Sequence, residues 1–165
     1  MEYSLFVNTD YCMGCTTCEV ACKQEHELPV GPRWIRVHAD VPRKIAGKPV
    51  LRYLVSHCVH CSHPPCKNVC PVNAITKRED GVVLIDEELC TGCGDCVEAC
   101  PLKVIQINNE KAQKCDLCVD RLDRGLQPAC VAACPSNCIY FGDISEVISK
   151  TGKNNLLLRY KGNTA

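Results

Sequence analysis

Sixteen of the seventeen cysteines fall into four groups of four, and each group closes on a Cys-x3-Cys step. The groups are Cys12, Cys15, Cys18, Cys22; Cys58, Cys61, Cys66, Cys70; Cys90, Cys93, Cys96, Cys100; and Cys115, Cys118, Cys130, Cys134. The first and third share the spacing C-x2-C-x2-C-x3-C, whereas the second and fourth widen the middle gap to four and eleven residues. Thiolates are soft donors, and their crowding at this spacing suits polynuclear metal-sulfur chemistry.

The run C-x2-C-x2-C-x3-C-P is the bacterial iron-sulfur pattern, and Cys90 to Pro101 matches it in full. Three thiolates on such a loop wrap one face of a cubane, and the helix that follows carries the fourth cysteine to a neighbouring cluster. Four groups must choose exchange partners, and the alternation of spacing suggests nesting: first with fourth, second with third. This assigns Cys12, Cys15, Cys18 and Cys134 to one [4Fe-4S] cluster and Cys22, Cys115, Cys118 and Cys130 to a second. A third takes Cys58, Cys61, Cys66 and Cys100, and a fourth takes Cys70, Cys90, Cys93 and Cys96.

Two other chemistries use dense cysteine. Zinc sites want two C-x2-C pairs around one tetrahedral ion, and the three-cysteine loops ending before Pro fit that poorly. Disulfide scaffolds belong to oxidising compartments. The N-terminus has no basic region, long apolar stretch or twin arginine, so the expectation is a chain that starts as mature protein in a reducing compartment.

The seventeenth cysteine, Cys138, occupies the repeat position held elsewhere by Ala74 and Val104, which predicts packing rather than chemistry. His57, His60 and His63 flank the second group; with sixteen ligands already present, they are expected to hydrogen-bond near a cluster or to lie exposed. Lys67, Lys103 and Lys114 sit close to ligating cysteines and could raise a cluster potential by charge, with solvated surface lysines as the plainer expectation. Trp34 fits a core aromatic or a partner interface.

The elements that must position these loops can be read coarsely. Short helices are predicted over Cys18–Glu25, Cys66–Cys70, Cys96–Cys100 and Cys130–Cys134, because cysteines four apart share a helix face, and Pro stops the last three. Strands are predicted over Val82–Asp86, Val104–Asn108 and Ile139–Gly142, next to turns such as Asp80-Gly81 and Asn108-Asn109. The motif repeats beyond cysteine: Cys70-Pro71-Val72-Asn73-Ala74-Ile75, Cys100-Pro101-Leu102-Lys103-Val104-Ile105 and Cys134-Pro135-Ser136-Asn137-Cys138-Ile139 superpose. A 35-residue insertion, Lys23 to His57, and a cysteine-free tail from Asp143 fall outside the repeat as candidate docking surfaces. Apolar core residues are few, with two Phe, one Trp and two Met in 165 residues. No apolar run reaches the roughly 18 residues that a membrane span needs. Nineteen basic residues balance nineteen acidic ones, so no global field attracts nucleic acid.

The segments Cys12-Met13-Gly14-Cys15-Thr16-Thr17-Cys18-Glu19-Val20-Ala21-Cys22, His57 to Pro71, and Cys130 to Pro135 followed by Tyr140-Phe141-Gly142-Asp143 carry a family resemblance. The chain resembles the four-cluster ferredoxin-like subunits of molybdenum and tungsten enzymes. These include the iron-sulfur subunits of the dimethyl sulfoxide reductase family and those paired with tungsten aldehyde oxidoreductase-type or class II benzoyl-CoA reductase catalytic subunits. The resemblance implies an α+β, tandem ferredoxin-like fold of pseudo-twofold design, with four [4Fe-4S] clusters in a conducting line and the nested exchange. It divides the chain into an outer half, 1–57 with 111–143, an inner half, 58–110, and a tail, 144–165. It further implies a larger tungsten- or molybdenum-pterin catalytic subunit as partner, with room for a further electron-donating or accepting subunit. A cytoplasmic location is expected, unless a signal-bearing partner carries the folded chain outward. The chain holds no glycine-rich nucleotide loop and no nucleophile beside a base, so catalysis is expected elsewhere. A free polyferredoxin carrier is the rival, and a zinc-binding interaction module the more distant one.

Overall fold

This computed structural model of the chain describes residues 2–151. The elements run β1 (Tyr3–Val7), α1 (Thr17–Glu25), β2 (Ile35–Ala39), β3 (Arg43–Ile45), β4 (Lys48–Val50), β5 (Tyr53–His57) and α2 (Pro65–Asn68). They continue with β6 (Ile75–Lys77), β7 (Val83–Ile85), α3 (Asp95–Ala99), β8 (Gln106–Asn108), β9 (Lys111–Gln113), α4 (Val119–Leu122), α5 (Ala129–Ala132), β10 (Ile139–Asp143) and α6 (Ile144–Thr151). The strands form antiparallel pairs: β1 with β10, β2 with β5, β3 with β4, β6 with β7 and β8 with β9. The result is an α+β fold of short helices and small hairpins, the arrangement expected of a chain organised around ligand loops.

Helices α2 to α5 are only four or five residues long, too short to be stable from backbone hydrogen bonds alone. What most of them do is turn cysteines inward. Proline enters two of them at the start, with Pro64-Pro65 opening α2 and Pro128 preceding α5, where a missing N–H costs nothing. The strand expected over Val104–Asn108 begins later, at Gln106, because Val104 and Ile105 plug the core before the hairpin starts. Strand β1 and helices α4 and α6 carry no cysteine pattern and are not among the expected elements, although Ile144, Val147 and Ile148 give α6 an apolar face at helical spacing.

Two main cores follow. The first gathers Leu5, Val7, Ile35, Val55, Val82, Leu117 and Ile139 with Cys18, Cys22, Cys130, Cys134 and Cys138. The second gathers Ile75, Val83, Val104, Ile105 and Ala112 with Cys66, Cys96 and Cys100, while Cys58, Cys70 and Cys90 pack on it. Cysteine therefore replaces aliphatic side chains as core material in both. The β8–β9 hairpin keeps Lys111–Gln113 with the second core, through buried Ala112.

Around the first core, β1 and β10 bring distant parts of the chain together, with Tyr3 stacked on Phe141 at 5.1 Å and Phe6 near Tyr140 at 6.3 Å. Helix α6 lies on this pair through buried Val147 against Phe6. The tail thus contributes its first eight residues to the fold, and residues 152–165 lie outside the described ones.

Candidate metal centres

Each of three cysteine groups leaves its helix through the same turn. After Cys70, Cys100 and Cys134 the backbone bends so that the N–H of Asn73, Lys103 and Asn137 donates to the cysteine carbonyl, at 3.3, 3.1 and 3.2 Å. All three donors sit in the left-handed region, with φ of 52°, 48° and 48°. Asn adopts this conformation readily, whereas Lys103 shows that the turn is imposed by its surroundings. The next residue in each case, Ala74, Val104 or Cys138, is buried. Cys138 is therefore a packing residue at a fixed repeat position, and burial pushes its thiol up to about 11.

The turns send cysteines from distant parts of the chain to common sites. A recess of about 370 Å³ is lined by Cys58, Cys61, Cys66 and Cys100, together with Val59, Pro64, Pro65 and Val104. A second, of about 310 Å³, is lined by Cys70, Cys90, Cys93 and Cys96. The third, also about 310 Å³, is lined by Cys12, Cys15, Cys18 and Cys134, with Cys138 behind them. Cys22, Cys115, Cys118 and Cys130 are the candidates for a fourth set: an ionised Cys22 would be repelled by Cys115 and Cys118, and Cys130 by Cys118 and Cys22, with Cys18 acting on both. Each of the three recesses gathers three cysteines of one group and the last cysteine of another, the convergence that a shared metal-sulfur centre requires.

Two glycines let neighbours close over the loops. Gly14 and Gly92 both follow the first x of Cys-x-Gly-Cys, with φ of 72° and 68°. A Cβ at Gly14 would collide with the Tyr53 ring, and one at Gly92 with the Glu110 carbonyl oxygen.

The electrostatics of the sets fit a cationic centre. Burial, reinforced by neighbouring thiolates, pushes the thiol of Cys66 up to about 11 and raises those of Cys22, Cys96 and Cys130. Burial likewise takes Cys18 up to about 12 and Cys118 to about 11. Thiolates gathered in this way repel one another, and a bound metal centre of high positive charge reverses that logic. In the three recesses cysteine is the only His, Cys, Asp or Glu donor among the lining residues, which suits iron-sulfur clusters.

Several neighbours act on these sulfurs. Lys114 is buried at 3% exposure, contrary to the plainer expectation of a solvated side chain. Its Nζ donates to the Val83 carbonyl and, at 3.0 Å, to that of Cys115, and its charge favours the ionised forms of Cys61 and Cys66. Lys67 and Lys103 are exposed, and Lys103 pairs with Glu98 at 3.0 Å. His57 and His60 are buried, with His60 Nδ1 accepting from the Val83 N–H at 2.9 Å. His63 is exposed. Backbone N–H of Ala112 donates to Cys90 Sγ at 3.3 Å.

One contact has no counterpart among the sequence-based expectations. His26 lies with Nε2 3.4 Å from Cys118 Sγ and 3.4 Å from Asp116 Oδ1, and its ring stands 4.5 Å from that of Trp34. A signal exists, since His26 follows Cys22 by four residues and so lies on the same side of α1. Among the described residues, no helix is long and apolar enough to cross a membrane.

Comparison with known proteins agrees with this donor set. Residues 50–144, which contain the last three cysteine groups, match the 4Fe-4S dicluster domain, and the chain belongs to that family. Over 160 residues it is 38% identical to a chain of the anaerobic dimethyl sulfoxide reductase of Escherichia coli, covering 92% of this chain and 78% of that one. The thiosulfate reductase electron transfer subunit of Salmonella typhi is 36% identical over 149 residues, covering 88% and 78%. A subunit of the tetrathionate reductase of Salmonella typhimurium is 39% identical over 152 residues, and there the match takes in 90% of this chain but only 61% of the relative. With the family match and these relatives, the chain is an iron-sulfur electron-transfer protein that binds [4Fe-4S] clusters.

Proposed function

We propose that the chain relays single electrons through four [4Fe-4S] clusters to or from a larger catalytic subunit, of the molybdenum- or tungsten-pterin class. One observation carries this reading: each of three recesses is lined by three members of one sequence group and the last member of another. The ligand assignment proposed is Cys12, Cys15, Cys18 with Cys134; Cys115, Cys118, Cys130 with Cys22; Cys58, Cys61, Cys66 with Cys100; and Cys90, Cys93, Cys96 with Cys70. When bound, such clusters supply one-electron redox steps without substrate chemistry.

The protein's own residues hold the ligands still. The short helices and their shared exit turns fix the sulfurs, and aliphatic and proline side chains line the recess around Cys58. Lys114 lines the recess of Cys58 and donates to the Cys115 carbonyl at 3.0 Å, which links the set containing Cys58 to the set containing Cys22. The sequence of sets along the relay is then Cys12, Cys22, Cys58, Cys90, each named by one member. The end sets hold the exposed cysteines, Cys15 and Cys93. The common exit turn supports a tandem, pseudo-twofold ferredoxin-like design. Operation in the cytoplasm, or export folded with a partner, fits the same reading.

Anaerobic purification with iron and acid-labile sulfide assays tests the cluster count, with about sixteen iron per chain expected. Zinc without sulfide would overturn it. Size-exclusion of the native complex with molybdenum and tungsten assays tests the partner, and elution without either metal would favour a free carrier.

A further inference from the structure

The insertion between the first two cysteine groups builds a ribbon with a fixed root and a bare tip. At the root, β2 pairs with β5 from Ile35↔His57 to Ala39↔Tyr53. Buried Glu19 on α1 accepts from the Val37 N–H at 2.6 Å and from Arg33 Nη1 at 3.0 Å, locking the ribbon to the helix that carries Cys18 and Cys22. Tyr53 packs on Gly14, and Arg52 reaches Asp10 at 3.4 Å, so the root rests against the loop of Cys12 and Cys15.

Beyond Asp40 the ribbon leaves the body of the protein. Residues 41–49 are all exposed, with Val41 at 73% and Ile45 at 48%, and β3 and β4 pair only with each other around Ala46-Gly47. A lone two-stranded hairpin is marginal in water, and this one presents apolar side chains that the described residues of its own chain leave uncovered. Its charge is equally uneven. Residues 36–52 hold Arg36, Arg43, Lys44, Lys48 and Arg52 against Asp40 alone, in a chain whose charges cancel over its whole length. Pro49 and the lysines blunt the free strand edges against pairing with another strand, so recognition must run through side chains.

We propose that this basic, apolar-tipped arm docks into an acidic surface depression on the catalytic subunit, beside the loop that carries Cys15. The inference rests on the subunit reading above and adds where and by what chemistry the partner is held. The positive arm steers the encounter and sets register, while Val41, Ile45 and Leu51 supply the buried contact.

The test uses the cluster-loaded full chain and its co-expressed catalytic subunit. The triple variant Arg43→Glu, Lys44→Glu, Lys48→Glu should bind at least about tenfold more weakly, and wild-type binding should weaken with added salt. Iron content and visible absorption of the variant should match wild type, because none of the three residues touches a core. A second variant, Val41→Ser with Ile45→Ser, should weaken binding with the salt dependence retained. Unchanged binding by both variants would overturn the docking. So would wild-type retention on anionic phosphatidylglycerol vesicles, or dimerisation of the isolated chain, that the charge variant abolishes while partner binding stays intact. A wild-type chain that binds no catalytic subunit would remove the subunit reading itself and the docking with it.

Discussion

The two cores hold the same kind of cysteine set on different supports. The first is built on the nine-residue α1, the five-residue pair β1–β10 and the contact of α1 with α5. The second relies on hairpins of three residues and helices of four or five. Their charge environments differ as well. Beside Cys58, Cys61, Cys66 and Cys100 the single charged residue lining the recess is buried Lys114. Around Cys22 and Cys118 the neighbours are Asp116 and Glu25, offset in part by Arg121. The difference teaches that cysteine spacing specifies a site, while its electrical character is written in residues outside the motif.

The largest expected effect breaks the sharing of ligands between groups. Cys100→Ser should damage the centre formed with Cys58, Cys61 and Cys66 more than the one formed by Cys90, Cys93 and Cys96, with up to about four iron lost per chain. Electron paramagnetic resonance of the reduced protein separates the centres. Preferential loss of the signal assigned to Cys90, Cys93 and Cys96 would refute the assignment.

A smaller effect sharpens the charge contrast. A positive charge stabilises the reduced, more negative state of a nearby centre and raises its potential, and a negative charge lowers it. Lys114→Met should therefore lower the potential of the Cys58 set, and Asp116→Asn should raise that of the Cys22 set. Asn at 116 keeps the oxygen that accepts from the Cys118 N–H at 2.8 Å, so the loop is preserved. Redox titrations followed by the same resonance check both signs, and shifts in one direction would sink the contrast.

The legibility of the two cores from sequence is unequal for physical reasons. Ligand groups, cysteine helices and the position of Cys138 follow from local spacing, since a helical turn and a proline stop need no tertiary information. The burial of Lys114 does not, because its partners, Val83 and Cys115, are brought together only by folding. Strand β1 is invisible for the same reason: Tyr3 to Val7 finds its partner more than 130 residues away. His26 lies between these cases, readable as a face-mate of Cys22 but silent about Cys118 in a different group.

The smallest effect separates the cores by what lies over their loops. Gly14 and Gly92 occupy equal positions, and both have a φ that costs a residue with a Cβ about 1–2 kcal/mol. The neighbours differ in how far they can yield. Over Gly14 it is the ring of half-exposed Tyr53, which can swing outward with its side chain. Over Gly92 it is the backbone carbonyl of Glu110, fixed at the turn of the β8–β9 hairpin whose Ala112 donates to Cys90 Sγ. Gly14→Ala should thus cost little beyond the conformational strain, whereas Gly92→Ala must displace a hairpin that closes the site. Thermal unfolding of the cluster-loaded chain, followed by loss of visible absorption, should show the greater destabilisation in Gly92→Ala. Equal losses would mean that Tyr53 is held as firmly as a backbone, and the first core would then be the more rigid of the two.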